Sequence, residues 1–129
     1  MPAVRAGNLV FTSGQLPLRD GALVTSGHVG GPVSPQSAAE CARVAVLNAL
    51  AAAATVCDLD TVVRVVKLTG YVASAPGFTA QPSVIDAASG VLAAAFGEAG
   101  KHAREAVGVA EPPKGAPVEL SIVLALAEQ

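Results

Sequence analysis

The most regular pattern in the chain lies near its C-terminal end, where apolar residues alternate with small or polar ones. Every second position is apolar: Val118, Leu120, Ile122, Leu124 and Leu126. The residues between them are Glu119, Ser121, Val123 and Ala125. Because successive side chains of a strand point to opposite faces, the pattern predicts a strand whose apolar face covers helices. The other face is small and only partly polar, which suits packing against another subunit.

Two helices are predicted upstream of this strand. Ser34 offers an N-cap oxygen and Pro35 a first helical residue, so a helix should begin there and run to about Val56. A second helix should begin near Pro82 and end before Gly97.

Further strands are predicted by short β-rich segments. Segments 2–5 and 9–13 flank a turn at 6–8 and form a predicted hairpin, 22–25 gives a short strand, and 61–73 gives a long valine-rich one. The combination predicts an α+β domain in which two helices pack on one face of a mostly antiparallel sheet.

The strand that contains Arg104 is predicted to pair with the last strand. If the two form a simple antiparallel hairpin around the loop 111–117, Arg104, Ala106 and Gly108 share a face with Glu119 and Ser121. The Arg104 guanidinium and the Glu119 carboxylate would then be offset by about 13 Å along the strands. That separation leaves space for a small molecule between them.

These two side chains are the strongest candidates for chemistry. Arg104 would bind a substrate carboxylate through its fork of donors, and Glu119 would hold or activate a water. The alternative is a structural ion pair between adjacent strands. His102 shares strand parity with Arg104, and it either lines the same pocket or lies in solvent at the entry of the strand.

Composition indicates one domain, 1–129, that associates with itself. Charged residues make up 14% of the chain and hydrophobic residues 52%, so little polar material is available to cover the surface. A buried subunit interface explains this better than a membrane, because the longest nearly apolar stretch, 44–57, is shorter than the roughly 20 residues that span a bilayer. The N-terminus has no apolar signal region. We therefore expect a soluble, cytoplasmic homo-oligomer.

Other site chemistries find little support in the sequence. Cys41 and Cys57 fall in the same predicted helix, about 24 Å apart, which excludes a disulfide between them. The two histidines lack partners at ligand spacing, and phosphate-binding or dinucleotide-binding glycine motifs are missing, so neither a metal nor a cofactor is expected. A net charge of −2 and 3% aromatic residues argue against a nucleic-acid surface.

Several segments together resemble one known family. They are 8–17 with its Ser-Gly-Gln turn, the strand 62–71, the stretch 81–98, and 102–110 followed by Pro117-Val118-Glu119-Leu120. The chain resembles the reactive intermediate deaminase (YjgF-like, endoribonuclease L-PSP) family, and within it the chorismate-mutase-like subgroup. The resemblance implies a chorismate-mutase-like fold that assembles as a homotrimer with pockets at the subunit boundaries. It also implies cofactor-free hydrolysis of small enamine or imine acids to a 2-oxo acid and ammonia.

The resemblance also implies roles for individual residues. Arg104 matches the substrate-carboxylate anchor, Glu119 the catalytic pocket glutamate, and Ser13 and Gly14 the turn that lines the pocket. For Ser13 and Gly14, ordinary turn chemistry is an equal alternative. Further candidate lining residues are Ala106, Ser89 and His102.

The sequence departs from the family pattern at four places. Glu105 replaces the usual Ser or Thr, Ala106 replaces a cysteine, Pro112 replaces a leucine, and the aromatic residue before the first strand has no counterpart. Two other functions therefore stay open. One is a non-catalytic module that binds a small acid or a protein partner, as a holdase does. The other, which the charge and aromatic content disfavour, is an endoribonuclease or translation inhibitor.

Overall fold

The computed structural model describes residues 1–128 and contains two layers, a five-stranded sheet and a pair of helices. The strands of the sheet are β1 (Ala3–Ala6), β2 (Leu9–Thr12), β5 (Val62–Ala73), β6 (Ala103–Val109) and β7 (Val118–Leu126). The strands β3 (Leu18–Arg19) and β4 (Ala22–Leu23) form a separate small hairpin. The helices are α1 (Pro35–Ala53) and α2 (Gln81–Phe96). The α+β prediction, with both helices on one face, is confirmed.

The helices begin where the sequence predicts. Ser34 adopts an extended backbone and its side chain accepts a hydrogen bond from the Ser37 amide, while Pro35 takes the first helical position. Helix α1 ends at Ala53, a little before the predicted Val56. Helix α2 ends before Gly97, whose φ is +59°, a backbone conformation that favours glycine.

The order of the strands differs from the prediction in one respect. It is β1-β2-β7-β5-β6, so β5 lies between β6 and β7. β6 pairs with β5 in parallel, and β7 pairs with β5 antiparallel. The predicted hairpin of β6 and β7 is therefore wrong. The physical reason is that α2 connects β5 to β6, and a helix between two strands returns the chain parallel to the first strand.

The core lies between the sheet and the helices. The alternation predicted for β7 is confirmed, because its five apolar residues are buried and the residues between them are half-buried. Helix α1 contributes mostly alanine to the core, which lets the two layers approach closely. Within residues 1–128, no helix is long and apolar enough to cross a membrane.

The two cysteines lie in different elements. Cys41 is buried in α1, whereas Cys57 follows the helix and is half-buried, so the prediction that one helix holds both is wrong. Both thiols are free. Burial raises the pKa of both thiols, because it removes water from the thiolate, and a raised pKa lowers the fraction of the reactive thiolate.

A second face of the sheet is covered by no helix of residues 1–128. We call it the open face, and its residues alternate along the strands with those that the helices cover: Val4, Phe11, Lys67, Thr69, Tyr71, Glu105, Val107, Glu119, Ser121 and Val123. Val4, Phe11 and Val107 are exposed there. A sheet face with exposed apolar side chains suits an interface.

Gly70 sets the spacing between β5 and α2, because Ile85 of α2 packs directly over it. A Cβ at Gly70 would lie 2.5 Å from Cδ1 of the buried Ile85. We expect Gly70→Ala to lower the free energy of unfolding by about 1–3 kcal/mol through overpacking. Gly90→Ala is the matched control, because a Cβ there would have no neighbour within 4 Å in residues 1–128 beyond its own stretch of helix, so no clash is created. In the interior of a helix that change should stabilise by about 0.5–1 kcal/mol.

Urea denaturation of the two variants measures both effects. Adding Ile85→Ala to Gly70→Ala should cost less stability than the sum of the two single changes, because alanine lacks the Cδ1, Cγ1 and Cγ2 atoms of Ile85 that the new Cβ would meet. Equal stability of Gly70→Ala and the parent protein would contradict the proposed close approach.

Candidate functional site

The predicted site residues lie on two opposite faces of the sheet. Arg104 stands beside Leu68, a fully buried residue on the helix-covered face. Glu119 stands beside Tyr71 on the open face. The prediction that Arg104 and Glu119 share a face is therefore wrong, and its cause is the position of β5 between their strands. Within one chain the two side chains cannot line one cavity.

Glu119 lines a pocket on the open face. The pocket is open to solvent, has a volume of about 280 Å³, and is lined by Tyr71, Val109, Glu111, Pro112, Pro113 and Glu119. Tyr71 and Glu119 are direct neighbours across β5 and β7. A phenol and a carboxylate side by side over two prolines can hold a water molecule and a small organic group.

Gly14 is in contact with the Glu119 carboxylate. A Cβ at Gly14 would lie 2.5 Å from Oε2 of Glu119, so any other residue would displace this side chain. Gly14 is not among the residues with positive φ. Space, rather than backbone freedom, therefore accounts for glycine at this position.

The hydroxyl of Ser13 is engaged elsewhere. It donates to the carbonyl of Met1 at 2.6 Å, and the Ser13 amide donates to the carbonyl of Pro2 at 2.9 Å. Both bonds tie β2 to the start of the chain. This geometry corresponds to the turn-chemistry alternative for Ser13.

Arg104 belongs to a polar cluster at the edge between β6 and α2. Its Nη1 donates to Oδ1 of Asp86 at 2.7 Å and to Oγ of Ser89 at 3.3 Å. Ser89 also contacts Nε2 of His102 at 3.0 Å, and Nδ1 of His102 contacts the Gly100 carbonyl at 2.6 Å. Three residues that the sequence analysis named, Arg104, Ser89 and His102, are thus together.

The directions of these hydrogen bonds follow from the carbonyl of Gly100. A carbonyl can only accept, so Nδ1 of His102 carries a proton and donates it. In the neutral ring Nε2 then accepts from the Ser89 hydroxyl, and the Ser89 oxygen is left to accept from Arg104. The chain of contacts holds one side of the guanidinium in a fixed direction.

Ala106 lies on the same face as Arg104. It stands beside Gly70 and packs against the core. It is therefore near the polar cluster and away from the pocket that Glu119 lines.

Sequence reasoning missed Asp86 and Tyr71 as site residues. Asp86 and Ser89 are three residues apart, which puts them on one side of α2, so the spacing alone could have paired Asp86 with Ser89. Tyr71 points to the same face of β5 as Thr69. Which residue of β7 stands beside Tyr71, however, depends on the register between β5 and β7. No local pattern gives that register.

His28 holds the loop that forms one wall of the pocket. Its Nε2 lies 2.7 Å from the carbonyl of Ala110 and 3.5 Å from Oε1 of Glu111. Ala110 directly precedes the pocket residues 111–113. Among residues 1–128 no three side chains of His, Cys, Asp or Glu lie close enough together to hold a metal ion.

Glu105 points away from Arg104, as the sequence analysis expected. It pairs with Lys67 on the open face, where Nζ and Oε1 are 2.5 Å apart. The hydrogen bond from Lys67, followed by its positive charge, lowers the pKa of Glu105. Glu105 therefore adds no negative charge to the Arg104 cluster on the other face.

Comparison with known proteins gives one family. Residues 1–126 match the family described as endoribonuclease L-PSP. Protein TCP17 of Trypanosoma cruzi is 40% identical over 125 residues, which cover 95% of this chain and 78% of that protein.

Solved structures are similar over almost the whole chain. Atu1372 of Agrobacterium tumefaciens, a protein of unknown function, is 41% identical with a TM-score of 0.93, over 98% of this chain and 81% of that one. A candidate endoribonuclease of Shewanella oneidensis is 28% identical with a TM-score of 0.94, over 98% of this chain and 84% of that one.

The Lys67–Glu105 pair gives a prediction about pH. Because the pKa of Glu105 is lower in the folded state, its ionised form favours folding. This contribution is present above the ordinary carboxyl pKa of about 4.3 and is lost as the pH falls through the folded value. We expect Glu105→Gln to lower the melting temperature slightly at pH 7, and the difference to shrink as the pH falls below the ordinary carboxyl pKa.

Lys67→Gln is the control for this prediction, because it removes the same pair from the other side. The difference in melting temperature between Lys67→Gln and the parent protein should depend on pH in the same way. The melting temperature of this variant should also respond less to salt than that of the parent, because salt screens an exposed pair. A difference for Glu105→Gln that stays the same as the pH is lowered would show that the pair is not its cause.

Proposed function

Because the chain belongs to the endoribonuclease L-PSP (YjgF/RidA) family, we propose that it hydrolyses small enamine or imine acids to a 2-oxo acid and ammonia. The observation that carries this proposal is that the Arg104 guanidinium has one edge that makes no hydrogen bond within residues 1–128. Both of its contacts use Nη1, and its Nε and Nη2 donate to none of residues 1–128. That edge can bind a carboxylate through two parallel hydrogen bonds.

The proposed reaction depends mainly on the positions of the substrate carboxylate and of the attacking water. Arg104 anchors the substrate carboxylate, and Glu119 accepts a proton from a water as its oxygen attacks the carbon of the protonated C=N bond. The resulting carbinolamine takes that proton from Glu119 on its nitrogen. As the C–N bond then breaks, Glu119 accepts the proton of the carbinolamine hydroxyl, so ammonia leaves and a 2-oxo acid remains. This scheme uses only side chains of the protein and a water molecule.

The proposed pocket requires two chains. Arg104 and Glu119 lie on opposite faces of one sheet, so one cavity can contain both only if the open face of one subunit meets the Arg104 edge of another. The exposed apolar residues of the open face favour such contact. We propose a homotrimer, in which each boundary joins Arg104 of one subunit to Glu119 of the next.

An RNA-cleaving function finds less support in the charges. Arg19 and Arg43 share the carboxylate of Glu40, and Lys101 pairs with Glu98. Arg64 donates to the carbonyls of Glu98 and Lys101. Cations already engaged by acids or carbonyls form a weak attraction for phosphates. A non-catalytic module that binds a small acid would use the same Arg104 edge, and the activity tests below separate it from the enzyme.

The proposed trimer can be tested through Phe11, which is 43% exposed on the open face. Light scattering should give three times the chain mass of 12.7 kDa for the parent protein. Phe11→Asp should leave the chain folded and lower this mass, because a carboxylate in the interface loses its water.

Leu47→Asp is the matched control, since Leu47 is 55% exposed on α1, away from the sheet. This variant should remain trimeric. A monomeric parent protein, or equal dissociation of both variants, would contradict an interface on the open face.

The two-chain pocket can be tested by mixing inactive subunits. Arg104→Ala and Glu119→Gln should each abolish most of the increase in the rate at which ammonia is released from an imine generated by an amino-acid oxidase. Co-expression in equal amounts should restore about a quarter of the parent activity, because each mixed trimer then contains one boundary with both native residues.

Two outcomes would contradict the proposal at different levels. A parent protein that does not accelerate imine hydrolysis would leave the binding module as the better description. Activity in the parent with no recovery in the mixture would show that Arg104 and Glu119 do not meet across subunits.

A further inference from the structure

Ser89 and His102 form a contact that the proposed reaction does not use. Oγ of Ser89 lies 3.0 Å from Nε2 of His102, and Nδ1 of His102 donates to the Gly100 carbonyl at 2.6 Å. Because Nδ1 carries the proton of the neutral ring, Nε2 accepts from the Ser89 hydroxyl. A serine hydroxyl bound to an imidazole, whose other nitrogen is held by an acceptor, is the arrangement that activates serine as a nucleophile.

The two side chains meet because a short turn after α2 brings the chain back against the helix. A Cβ at Gly100 would clash with the carbonyl of Leu92 in α2, so glycine is needed for this close approach. The Gly100 carbonyl then lies two residues from His102 and fixes the direction of its ring. His102 directly precedes β6, and both it and Arg104 contact the Ser89 hydroxyl.

Arg104 puts a positive charge beside the Ser89 oxygen. Its Nη1 donates to Oγ of Ser89 at 3.3 Å, and a second hydrogen bond from Nη1 to Oδ1 of Asp86, at 2.7 Å, holds the guanidinium in place. When a serine oxygen attacks an ester, negative charge develops on the carbonyl oxygen, which is bonded to the carbon that Oγ has just joined. That oxygen is therefore close to Nη1, which can donate to it and stabilise its charge.

The Ser89 hydroxyl can be approached from solvent along α2. Ser89 and His102 are each half-buried. The next residue, Gly90, has no side chain, and a Cβ there would have no neighbour within 4 Å in residues 1–128 beyond its own stretch of helix. Ala93, one helical turn after Ser89, is small and exposed. These two residues leave room for a small molecule beside the hydroxyl.

We propose that Ser89 is a nucleophile with His102 as its general base, and that the chain hydrolyses small carboxylic esters. This activity goes beyond the proposed imine hydrolysis, because it uses no group of the Glu119 pocket. It also uses a different side of the guanidinium, since Nη1 faces Ser89 whereas Nε and Nη2 of Arg104 are the donors proposed for a substrate carboxylate.

The proposed reaction has two steps. Oγ of Ser89 forms a bond to the ester carbonyl carbon while its proton passes to Nε2 of His102. The bond from that carbon to the alcohol oxygen then breaks, and the alcohol leaves with the proton. In the second step a water molecule attacks the acyl carbon and gives a proton to Nε2. The bond to Oγ breaks, Oγ takes this proton, and a carboxylic acid leaves.

Phenylmethylsulfonyl fluoride tests the nucleophile directly, because an activated serine oxygen displaces fluoride from its sulfur and remains bonded to it. After incubation, the intact mass of the parent protein should rise by one sulfonyl group per chain. Peptide mass spectrometry should place this group on Ser89. A parent that gains no label, or gains it on another residue, would overturn the proposal without any variant being needed.

The ester reaction itself is measured as release of 4-nitrophenol from 4-nitrophenyl acetate. Ser89→Ala should lose the label and the activity, whereas Ser83→Ala is the matched control, because it removes another exposed serine of α2. Ser83→Ala should keep both at the level of the parent. A parent that is no faster than Ser89→Ala would overturn the proposed activity.

His102→Gln separates a nucleophile from a serine that only orients Arg104. Glutamine can still form hydrogen bonds, but it cannot take a proton at neutral pH. Both labelling and ester hydrolysis should therefore slow about a hundredfold or more, which is the usual contribution of a general base. Melting temperatures near that of the parent are expected. Equal rates in His102→Gln and the parent would overturn the role of His102 as the base.

Discussion

The pairing of β5 with two different partners determines where every candidate functional group lies. Helix α2 returns the chain so that β6 joins one edge of β5 in parallel, and β7 joins the other edge antiparallel. The connection 110–117 must therefore cross the end of β5, where its residues 111–113 form one wall of the Glu119 pocket. The same order puts Arg104 on the helix-covered face and Glu119 on the open face. Arg104 and Glu119 of the same chain therefore cannot line the same pocket.

Close packing between the layers connects this topology to the Arg104 cluster. Helix α2 lies near β5 because Gly70 has no side chain, and it thereby brings Asp86 and Ser89 to the edge strand β6. The direction of the guanidinium is set by a helix, not by the neighbouring strand. A change in the spacing of the two layers would move Asp86 and Ser89 together, so core packing and the geometry of the anchor are coupled.

Local signals predicted much of the fold, and nonlocal pairing explains what they missed. The alternation in β7 and the Ser34–Pro35 start of α1 each depend on a few adjacent residues, and both are confirmed. The choice of partner for β6 depends on α2, which lies between β5 and β6 in the chain, and the hairpin expectation overlooked it. For the same reason Arg104 was matched with Glu119 while its contact, Asp86, went unnoticed. Family resemblance identified Arg104 and Glu119 as residues of interest, but it could not place them on a face.

The low charge content of the chain gives the Arg104 site its electrostatic character. Of the eight lysines and arginines, five are paired with a carboxylate: Arg19 and Arg43 with Glu40, Lys67 with Glu105, Lys101 with Glu98, and Arg104 with Asp86. A neutral guanidinium–carboxylate pair attracts anions weakly from a distance, so long-range steering contributes little to binding. Recognition of a carboxylate at Arg104 must then depend on short-range hydrogen bonds from its Nε and Nη2, which act only once the ligand is in contact.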